Sequence, residues 1–338
     1  MNMILAVDVG FGRTKAVSEK HKINFPSLID YFKKIPFAGV SEMEKIRKLA
    51  VGYNGNKYFV GDMAKVQGIP QATLNSARFL DDEGMVLLLT AMLLVGQGED
   101  KIKLVVGLPV HDYARLKSEY RYKLKGKHEL RELTIGGQTT QKHVFDIVDL
   151  RIMPQPFGSL LYRIFDGNGA TISKNHKEEM IGIVDIGYYT VDLALVNSME
   201  FIGRQSISLN NFGINSVFTE LSSDIYSQHG IELMPEKMDE VVRNRQVKIK
   251  GEKTSVDRVV DDVIKNHAHK IALQVSNRWN LNEIDRIFIS GGGAHLLGSN
   301  LSKIIDHKNV EISDQGMYTN VLGYYRYGVT TFQKKRIG

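Results

Sequence analysis

The chain has 338 residues, 43% of them hydrophobic and 24% charged, with a formal net charge of +6 and no cysteine. That length gives room for two ordinary domains, and the composition is that of a globular chain with ample apolar material for a core. Without cysteine there is no disulfide, thiolate chemistry or Cys-ligated zinc, which suits a reducing cytoplasm, and the mild basic excess permits a polyanionic partner without demanding one.

The N-terminus runs into an apolar stretch at Ile4–Val7 with no basic leader or small-residue cleavage site, so no signal peptide is expected. AVDVGFGRTKA, residues 6–16, follows: an apolar run, Asp8, two glycines, Thr14 and Lys15. Read alone, it is either a surface turn between strands or a cradle for a phosphate. The apolar alternation of TKAVSEKHKINFPS predicts a hairpin after it rather than a crossover helix. Residues 30–75 read as a smaller, irregular insertion. MVLLLTAMLLV (Met85–Val95) falls short of the about 20 residues that cross a bilayer and predicts a buried helix. KIKLVVGLPV (Lys101–Val110) predicts a strand ending in a Gly-Leu-Pro turn. RIMPQPFGSLLYRIF (Arg151–Phe165) passes from a strand through Pro154 and Pro156 into a helix, with Pro156 near its first turn.

Slightly more than half the chain after its first appearance, the opening pattern returns as IGIVDIGYYTVD, residues 181–192. TVDLALVNSMEFIGRQSISL after it again predicts a hairpin. The polar, basic run Arg243–Lys253 predicts an exposed loop or a break between helices. From Ser255 to Trp279 an apolar stripe at Val256, Val259, Val260, Val263, Ile264, Ile271 and Val275 predicts a helix. IDRIFIS then predicts a strand that ends in Gly291-Gly292-Gly293. Strands alternating with long helices give an α/β chain of two similar halves, each opening strand–turn–strand and packing across a cleft.

Glycines let backbone N–H groups approach phosphate oxygens, and two such turns facing one another would hold a polyphosphate from both sides. Thr14 and Thr190 would add hydroxyls, and Lys15 a mobile positive charge. Either Asp8 or Asp185 alone reads equally as a turn-stabilising residue; at matched positions beside phosphates, the two make sense with Mg2+ held largely through its waters. SGGGAHLLG is either a close-packed strand-to-helix connection or a backbone laid against a flat base or ribose. His267 and His269 stand two apart on the expected helix and cannot share a metal; His267 and Trp279 read as packed core. Tyr318, Tyr324, Tyr325 and Tyr327 lack, beyond Arg326, the interleaved basic residues of a nucleic-acid stacking platform and read as core and contact residues.

In this order the motifs resemble those of the actin-like ATPase superfamily. Asp8-Val9-Gly10-Phe11-Gly12-Arg13-Thr14-Lys15 is similar to its first phosphate motif, and Asp185, Gly187, Thr190 and Asp192 match the second. PQPFGSLLY, with Gln155, resembles the first connecting helix, SGGGAHL the adenosine motif, and YTNVLGYYRYG, with Gly323, the second connecting motif. INFPS, YFVGDMA (Tyr58–Ala64), VVGLP and MPQPFGSLLY are similar to the ParM/StbA-like plasmid-segregation branch and its archaeal relatives. Between Leu209 and Lys253 no adenine-contact signature aligns beyond Gly213, and Arg243 is the one side chain offered to lie over the base.

The resemblance implies an actin-like fold, two duplicated ribonuclease-H-like domains around a nucleotide cleft. Residues 1–157 would form domain I, with a small subdomain at about 30–75; 158–320 would form domain II, and 321–338 would return to domain I. It implies hydrolysis of ATP, or GTP, with Mg2+, a reaction that needs alignment and neutralised charge. Asp8 and Asp185 would hold the metal's waters, Asp185 also lying near the attacking water that Gln155 orients, and turnover would be slow. Gly10, Phe11, Gly12, Gly187, Tyr188 and Tyr189 would contribute backbone donors, Lys15 would meet the terminal phosphates, and Gly213, Gly291, Gly292 and Gly293 would line the nucleoside. It further implies a cytoplasmic, self-associating filament that moves plasmid DNA through a DNA-binding adaptor at a centromere-like site, with no direct sequence-specific DNA binding and no membrane attachment. Two alternatives use the same cradle: a sugar or acid kinase with Asp185 as base, and a chromosomal or archaeal cytoskeletal actin unlinked to DNA. A chaperone would need a peptide-binding domain beyond the last motif.

Overall fold

The structure, a computed structural model, describes residues 2–34, 49–67, 76–96, 101–134, 138–234 and 237–333. Much of the expected insertion, at 35–48 and 68–75, and the C-terminal 334–338 lie outside the described residues. The chain divides into two compact units, Met1–Lys174 with Asn320–Gly338, and Asn175–Thr319.

In chain order the first unit contributes β1 (Met3–Val9), β2 (Arg13–Val17), β3 (Lys22–Pro26), β4 (Ile29–Tyr31), β5 (Ala50–Tyr53), β6 (Asn56–Val60), α1 (Asp62–Gln67), α2 (Asp82–Val95), β7 (Lys101–Leu108), α3 (Val110–Leu124), β8 (Gly126–Leu133), β9 (Thr139–Pro154) and α4 (Phe157–Ile164). The second contributes β10 (Met180–Ile186), β11 (Thr190–Asn197), β12 (Glu200–Phe201), β13 (Ile207–Asn210), α5 (Ile214–His229), α6 (Met238–Asn244), β14 (Gln246–Ile249), β15 (Glu252–Ser255), α7 (Asp257–Arg278), β16 (Arg286–Ser290), α8 (Ala294–Ile304) and β17 (Val310–Ile312). Helix α9 (Thr319–Gln333) carries the chain into the first unit again from Asn320.

In the first unit one nine-stranded sheet runs β3-β2-β1-β7-β9-β8-β5-β6-β4. The expected hairpin is present as β1–β2–β3, and β1 lies parallel to β7, as β7 does to β9. Period-two alternation decides which residues face which layer. Leu5, Val7 and Val9 on β1 join Leu104, Val106 and Leu108 on β7 in a core that also holds the apolar residues of α2 and α3. Helix α2 is the buried helix expected at Met85–Val95; Asp81 caps it, its carboxylate accepting from the Gly84 N–H at 3.1 Å. On the opposite face of the sheet lies α9, where Gly328 leaves the space between Ile4 and Val105 and Lys103 Nζ donates to the Phe332 carbonyl at 3.3 Å.

Pro156 stands at the N-cap of α4, where its missing N–H costs nothing. Helices α4 and α9 then meet backbone to backbone. A Cβ on Gly323 would overlap the Gly158 carbonyl, and one on Gly158 would lie 2.6 Å from Asn320 Cα. Ser159 Oγ donates to Asn320 Oδ1 at 2.7 Å. The Arg326 guanidinium donates to the carbonyls of Tyr162 and Phe165 and so closes the C-terminal end of α4.

In the second unit the sheet order is β12-β11-β10-β16-β17, with β13 also on β11. The second expected hairpin is β10–β11, and β10 lies parallel to β16. Val184, Ile186, Val191 and Leu193 face a core shared with α5, α7 and α8, and the predicted stripe of α7 supplies much of it. His267 is buried within that stripe, with Nε2 2.8 Å from the Phe212 carbonyl, and burial pushes its pKa below the ordinary 6.5. Trp279 packs over Gly182, where a Cβ would lie 2.6 Å from the ring, and its Nε1 donates to the Gln205 carbonyl at 2.9 Å.

One expectation needs correcting. Arg243–Lys253 does separate two helices, α6 and α7, but it is not a loop: after α6 it forms most of the β14–β15 hairpin, which turns through Lys250 and Gly251 in the left-handed region. Its lysines hide a two-residue alternation in which Val247 enters the core and Lys248 stays exposed. Among the described residues no helix is long and apolar enough to cross a membrane.

The α4–α9 contact yields a measurable expectation. Gly323→Val would force two helix backbones apart and cost about 1–3 kcal/mol, as overpacking does elsewhere. The loss would be read as a lowered urea midpoint with an unchanged slope.

Candidate functional site

Both Asp-x-Gly turns leave the C-terminal end of a buried central strand, and the register of the returning strand chooses what faces the acid. On β1 and β2, Asp8 stands directly opposite Lys15. Lys15 Nζ donates to Asp8 Oδ2 at 2.9 Å, a cross-strand pair in which the carboxylate is 5% exposed. The other carboxylate oxygen, Oδ1, accepts from Gln155 Nε2 at 3.1 Å. Gln155 comes from the turn between β9 and α4. Its N–H donates to the Leu108 carbonyl at 2.8 Å, and its own carbonyl accepts from the buried hydroxyl of Tyr324 on α9, also at 2.8 Å. Gly107 leaves room for this arrangement, since a Cβ there would overlap the Tyr324 hydroxyl and lie 2.8 Å from Gln155 Cγ. Three sequence candidates of the first unit, Asp8, Lys15 and Gln155, thus share one hydrogen-bonded cluster.

Thr14 does not join them. It is adjacent to Lys15 on β2 and so points to the other face, fully buried, with Oγ1 2.8 Å from Ser27 Oγ. Ser27 instead ties the turn itself: its hydroxyl donates to the Gly10 carbonyl at 2.6 Å and its N–H to the Gly12 carbonyl at 3.0 Å. Because a trans peptide sets its N–H against its C=O, the N–H groups of Phe11 and Arg13 point away from Ser27. Gly10 has no room for a side chain, since a Cβ would sit 2.8 Å from Lys15 Nζ and 2.9 Å from the Arg13 carbonyl.

The second unit repeats the frame with a different partner. Asp185 on β10 stands opposite Asp192 on β11 and beside Ser290 on β16, whose hydroxyl donates to Asp185 Oδ1 at 3.3 Å. The position that holds a lysine in the first turn therefore holds an acid here, and both carboxylates are buried. Thr190 lies two residues before Asp192 and shares its face. The Gly187 N–H closes the turn on the Thr190 carbonyl at 2.9 Å. The carbonyls of Gly187, Tyr188 and Tyr189 accept from the N–H groups of Ile214, Asn215 and Gly213 at 3.1, 2.7 and 3.3 Å. The turn thereby satisfies donors that the start of α5 would leave unpaired. By the same peptide geometry the N–H groups of Tyr188 and Tyr189 point away from α5. Gly213 is glycine because a Cβ would approach the Tyr188 carbonyl to 2.5 Å.

The three glycines after β16 differ in what they require. Gly291 has φ +89°, and a Cβ there would overlap Asp185 Oδ1 and the Ile186 carbonyl. Gly293 donates to the Ile186 carbonyl at 2.8 Å, and a Cβ would overlap the Ile186 side chain. Packing alone accounts for both. At Gly292 a Cβ would meet only Met317, at 3.5 Å. Arg243, offered as a base contact, is an exposed residue of α6 paired with Asp239 at 2.7 Å.

Residues 6–158 match the family model of the N-terminal domain of actin-like proteins, and 183–303 that of the C-terminal domain of archaeal MreB-like actin homologues. The chain belongs to the actin-like superfamily. No curated protein sequence matches it. Among solved structures it is similar to the 15-stranded ParM filament from Clostridium botulinum, with 23% identity over 97% of this chain and 99% of that one and a TM-score of 0.76. A non-polymerisable quadruple mutant of pCBH ParM shares 22% identity over 99% of this chain and 100% of that one, with a TM-score of 0.75. Ta0583, an archaeal actin homologue in complex with ADP, shares 19% over 99% of both chains, with a TM-score of 0.77. At such identities the likeness is one of fold, and it extends over essentially the whole actin-like chain.

Several residues that build these turns are assigned no site role by the sequence: Ser27, Tyr324 and Ser290 lie inside INFPS, YTNVLGYYRYG and SGGGAHL but act through contacts made only on folding, and Arg78, outside every motif in a 3-10 turn before α2, donates from Nη2 to the Gly10 carbonyl at 3.1 Å. The packing at Gly291 generates a test. Gly291→Ala imposes a left-handed backbone on a side chain that also strikes Asp185, and is expected to cost about 1–3 kcal/mol of stability, measurable by urea unfolding.

Proposed function

We propose that this chain is a nucleotide-hydrolysing filament protein of the ParM kind, binding ATP or GTP with Mg2+ and assembling with copies of itself. Its cytoplasmic filaments would move plasmid DNA through a DNA-binding adaptor. The observation that carries the reading is the repeated frame: in each unit a buried central strand leads into Asp-x-Gly, and the turn carbonyls after it are tied down by neighbouring elements.

In each unit taken by itself, the groups at the turn suit phosphate oxygens and a hydrated divalent cation. The N–H groups of Phe11, Tyr188 and Tyr189 suit phosphate oxygens, and glycine at 10 and 187 keeps the backbone approachable. Lys15 adds a cation already ordered against Asp8. Asp8 and Asp185 are the carboxylates that would take waters of Mg2+, and the ion would supply neutralisation of the triphosphate charge.

Gln155 defines how the residues would act. Its Nε2 faces the Asp8 carboxylate, so Oε1 is the atom that would accept a hydrogen bond from water. A carboxamide does not take up a proton near neutral pH. It orients the water rather than activating it, and slow turnover follows. Tyr324 and the Leu108 carbonyl hold the backbone of Gln155 from two sides, so its side chain starts from a fixed point.

Pelleting and light scattering with ATP, GTP and a non-hydrolysable analogue, paired with phosphate release, test the proposal. Polymer that forms with triphosphate and decays after hydrolysis is expected; no nucleotide-dependent polymer at any salt concentration would overturn the filament reading. Phosphate appearing on an added polyol rather than in solution would assign the cradle to a kinase. Gln155→Ala is expected to slow phosphate release by about 10–100-fold, the range set by losing one aligning contact, while polymer still forms.

A further inference from the structure

Among the described residues, Arg78 is the one strongly basic side chain that the first Asp-x-Gly turn recruits from outside its own hairpin. It belongs to a 3-10 turn, Ser76–Phe79, that leads into α2. The residue is 3% exposed. From that position Nη2 donates to the Gly10 carbonyl at 3.1 Å, and the guanidinium carbon lies 5.0 Å from the centre of the Phe11 ring and 5.6 Å from that of Phe79. Phe11 and Phe79 meet edge to face, with centroids 6.3 Å apart, so one cation is seated against two rings and one carbonyl.

The local chain is shaped to deliver it there. Gly84 in the first turn of α2 lacks the Cβ that would overlap the Arg78 carbonyl. Asp81 caps the same helix and holds its start in place. Burial pushes the Arg78 pKa down to about 10, a value at which it keeps its charge at neutral pH, with Asp81, Glu83 and Asp8 among the groups that favour the charged form. A buried guanidinium is costly, and packing alone would be served as well by an apolar side chain.

We propose that Arg78 is a positioning residue for nucleotide phosphate, acting through the Gly10–Phe11 peptide. The proposal rests on the nucleotide-binding reading above. Arg78 and Ser27 both donate to the Gly10 carbonyl, from two different parts of the chain, and fix the plane of that peptide. The Phe11 N–H, trans to the carbonyl, is thereby aimed outward. A charged donor on the carbonyl also polarises the peptide, which makes the N–H a stronger donor to an anion. Arg78 thus serves the phosphates without touching them, and it has no bearing on the nucleoside.

The test compares affinities for ATP and adenosine, by competition against a fluorescent nucleotide, in wild type, Arg78→Met, Arg78→Lys and Ser27→Ala. For Arg78→Met the ATP affinity is expected to fall by about tenfold or more, the scale of a lost charged hydrogen bond, with adenosine changed by less than about twofold. Arg78→Lys should recover part of the loss, since an ammonium can donate to the carbonyl without matching the planar stacking. Ser27→Ala removes the second donor to the same carbonyl, should move the ratio in the same direction, and keeps the question answerable if Arg78→Met does not fold. Wild-type ratios of ATP to adenosine affinity in the folded variants would overturn the proposal and leave nucleotide binding intact. A wild-type protein that prefers GTP is tested in the same way with GTP and guanosine, and one that binds neither ATP nor GTP would overturn the nucleotide reading and this one together.

Discussion

When a strand turns and comes back at fixed register, the turn length selects the side chain that will face the last buried residue. In this chain that constraint governs both Asp-x-Gly turns. Asp8 and Asp185 each stand one residue before the end of a buried central strand, and each is faced across the hairpin by the residue its register dictates, Lys15 in one unit and Asp192 in the other. The duplicated backbone is therefore the same while the charge beside the acid is reversed. An ion pair holds Asp8 in place, whereas Asp185 leans on the Ser290 hydroxyl and the tight turn at Gly291. Two copies of one motif have become chemically different through a single cross-strand position.

The second recurring device is close approach of backbone to backbone or to a bulky side chain. Gly158 against Gly323, Gly213 against the Tyr188 carbonyl, and Gly293 against Ile186 all occur where a Cβ would strike something that cannot move. These contacts place α4 against α9, α5 against the second turn, and α8 against the end of β10. Carbonyl oxygens of both turns are consumed by such neighbours, so their N–H groups are directed the other way by peptide planarity alone. The direction of these N–H groups is thus a by-product of how the turns are tied down.

Much of this was readable from the chain. The recurrence of Asp-x-Gly after an apolar run identifies the two hairpins, since period-two alternation continues on both sides of each turn. The apolar run at Met85–Val95 and the stripe from Val259 to Val275 identify α2 and α7, because helical spacing survives in the sequence whatever the helix later packs on. Pro156 marks the start of α4 for a reason internal to proline. The β14–β15 hairpin escaped because alternating lysines mask the alternation of Val247 and Ile249, so polarity outweighed period. For the triple glycine, sequence offered two readings, and packing against Ile186 and Asp185 accounts for Gly291 and Gly293 without any ligand.

What the sequence determined by itself was the repeated strand–turn–strand frame, the alternating α/β order and the placing of Asp8, Lys15 and Asp185 at the paired turns. These follow from periodicity and from residue types that carry their own conformational preferences, whereas Gln155 was singled out only through the resemblance of PQPFGSLLY to a connecting helix. Tertiary structure alone decided which of them meet. Gln155 reaches Asp8 only because β9 lies parallel to β7, next to β1, and Tyr324 reaches Gln155 only because α9 brings the end of the chain into the first unit. Thr14, one residue from Lys15, is sent to the opposite face by the pleat. A hydrogen bond between residues far apart in the chain depends on the packing of every element between them, and no local pattern records it.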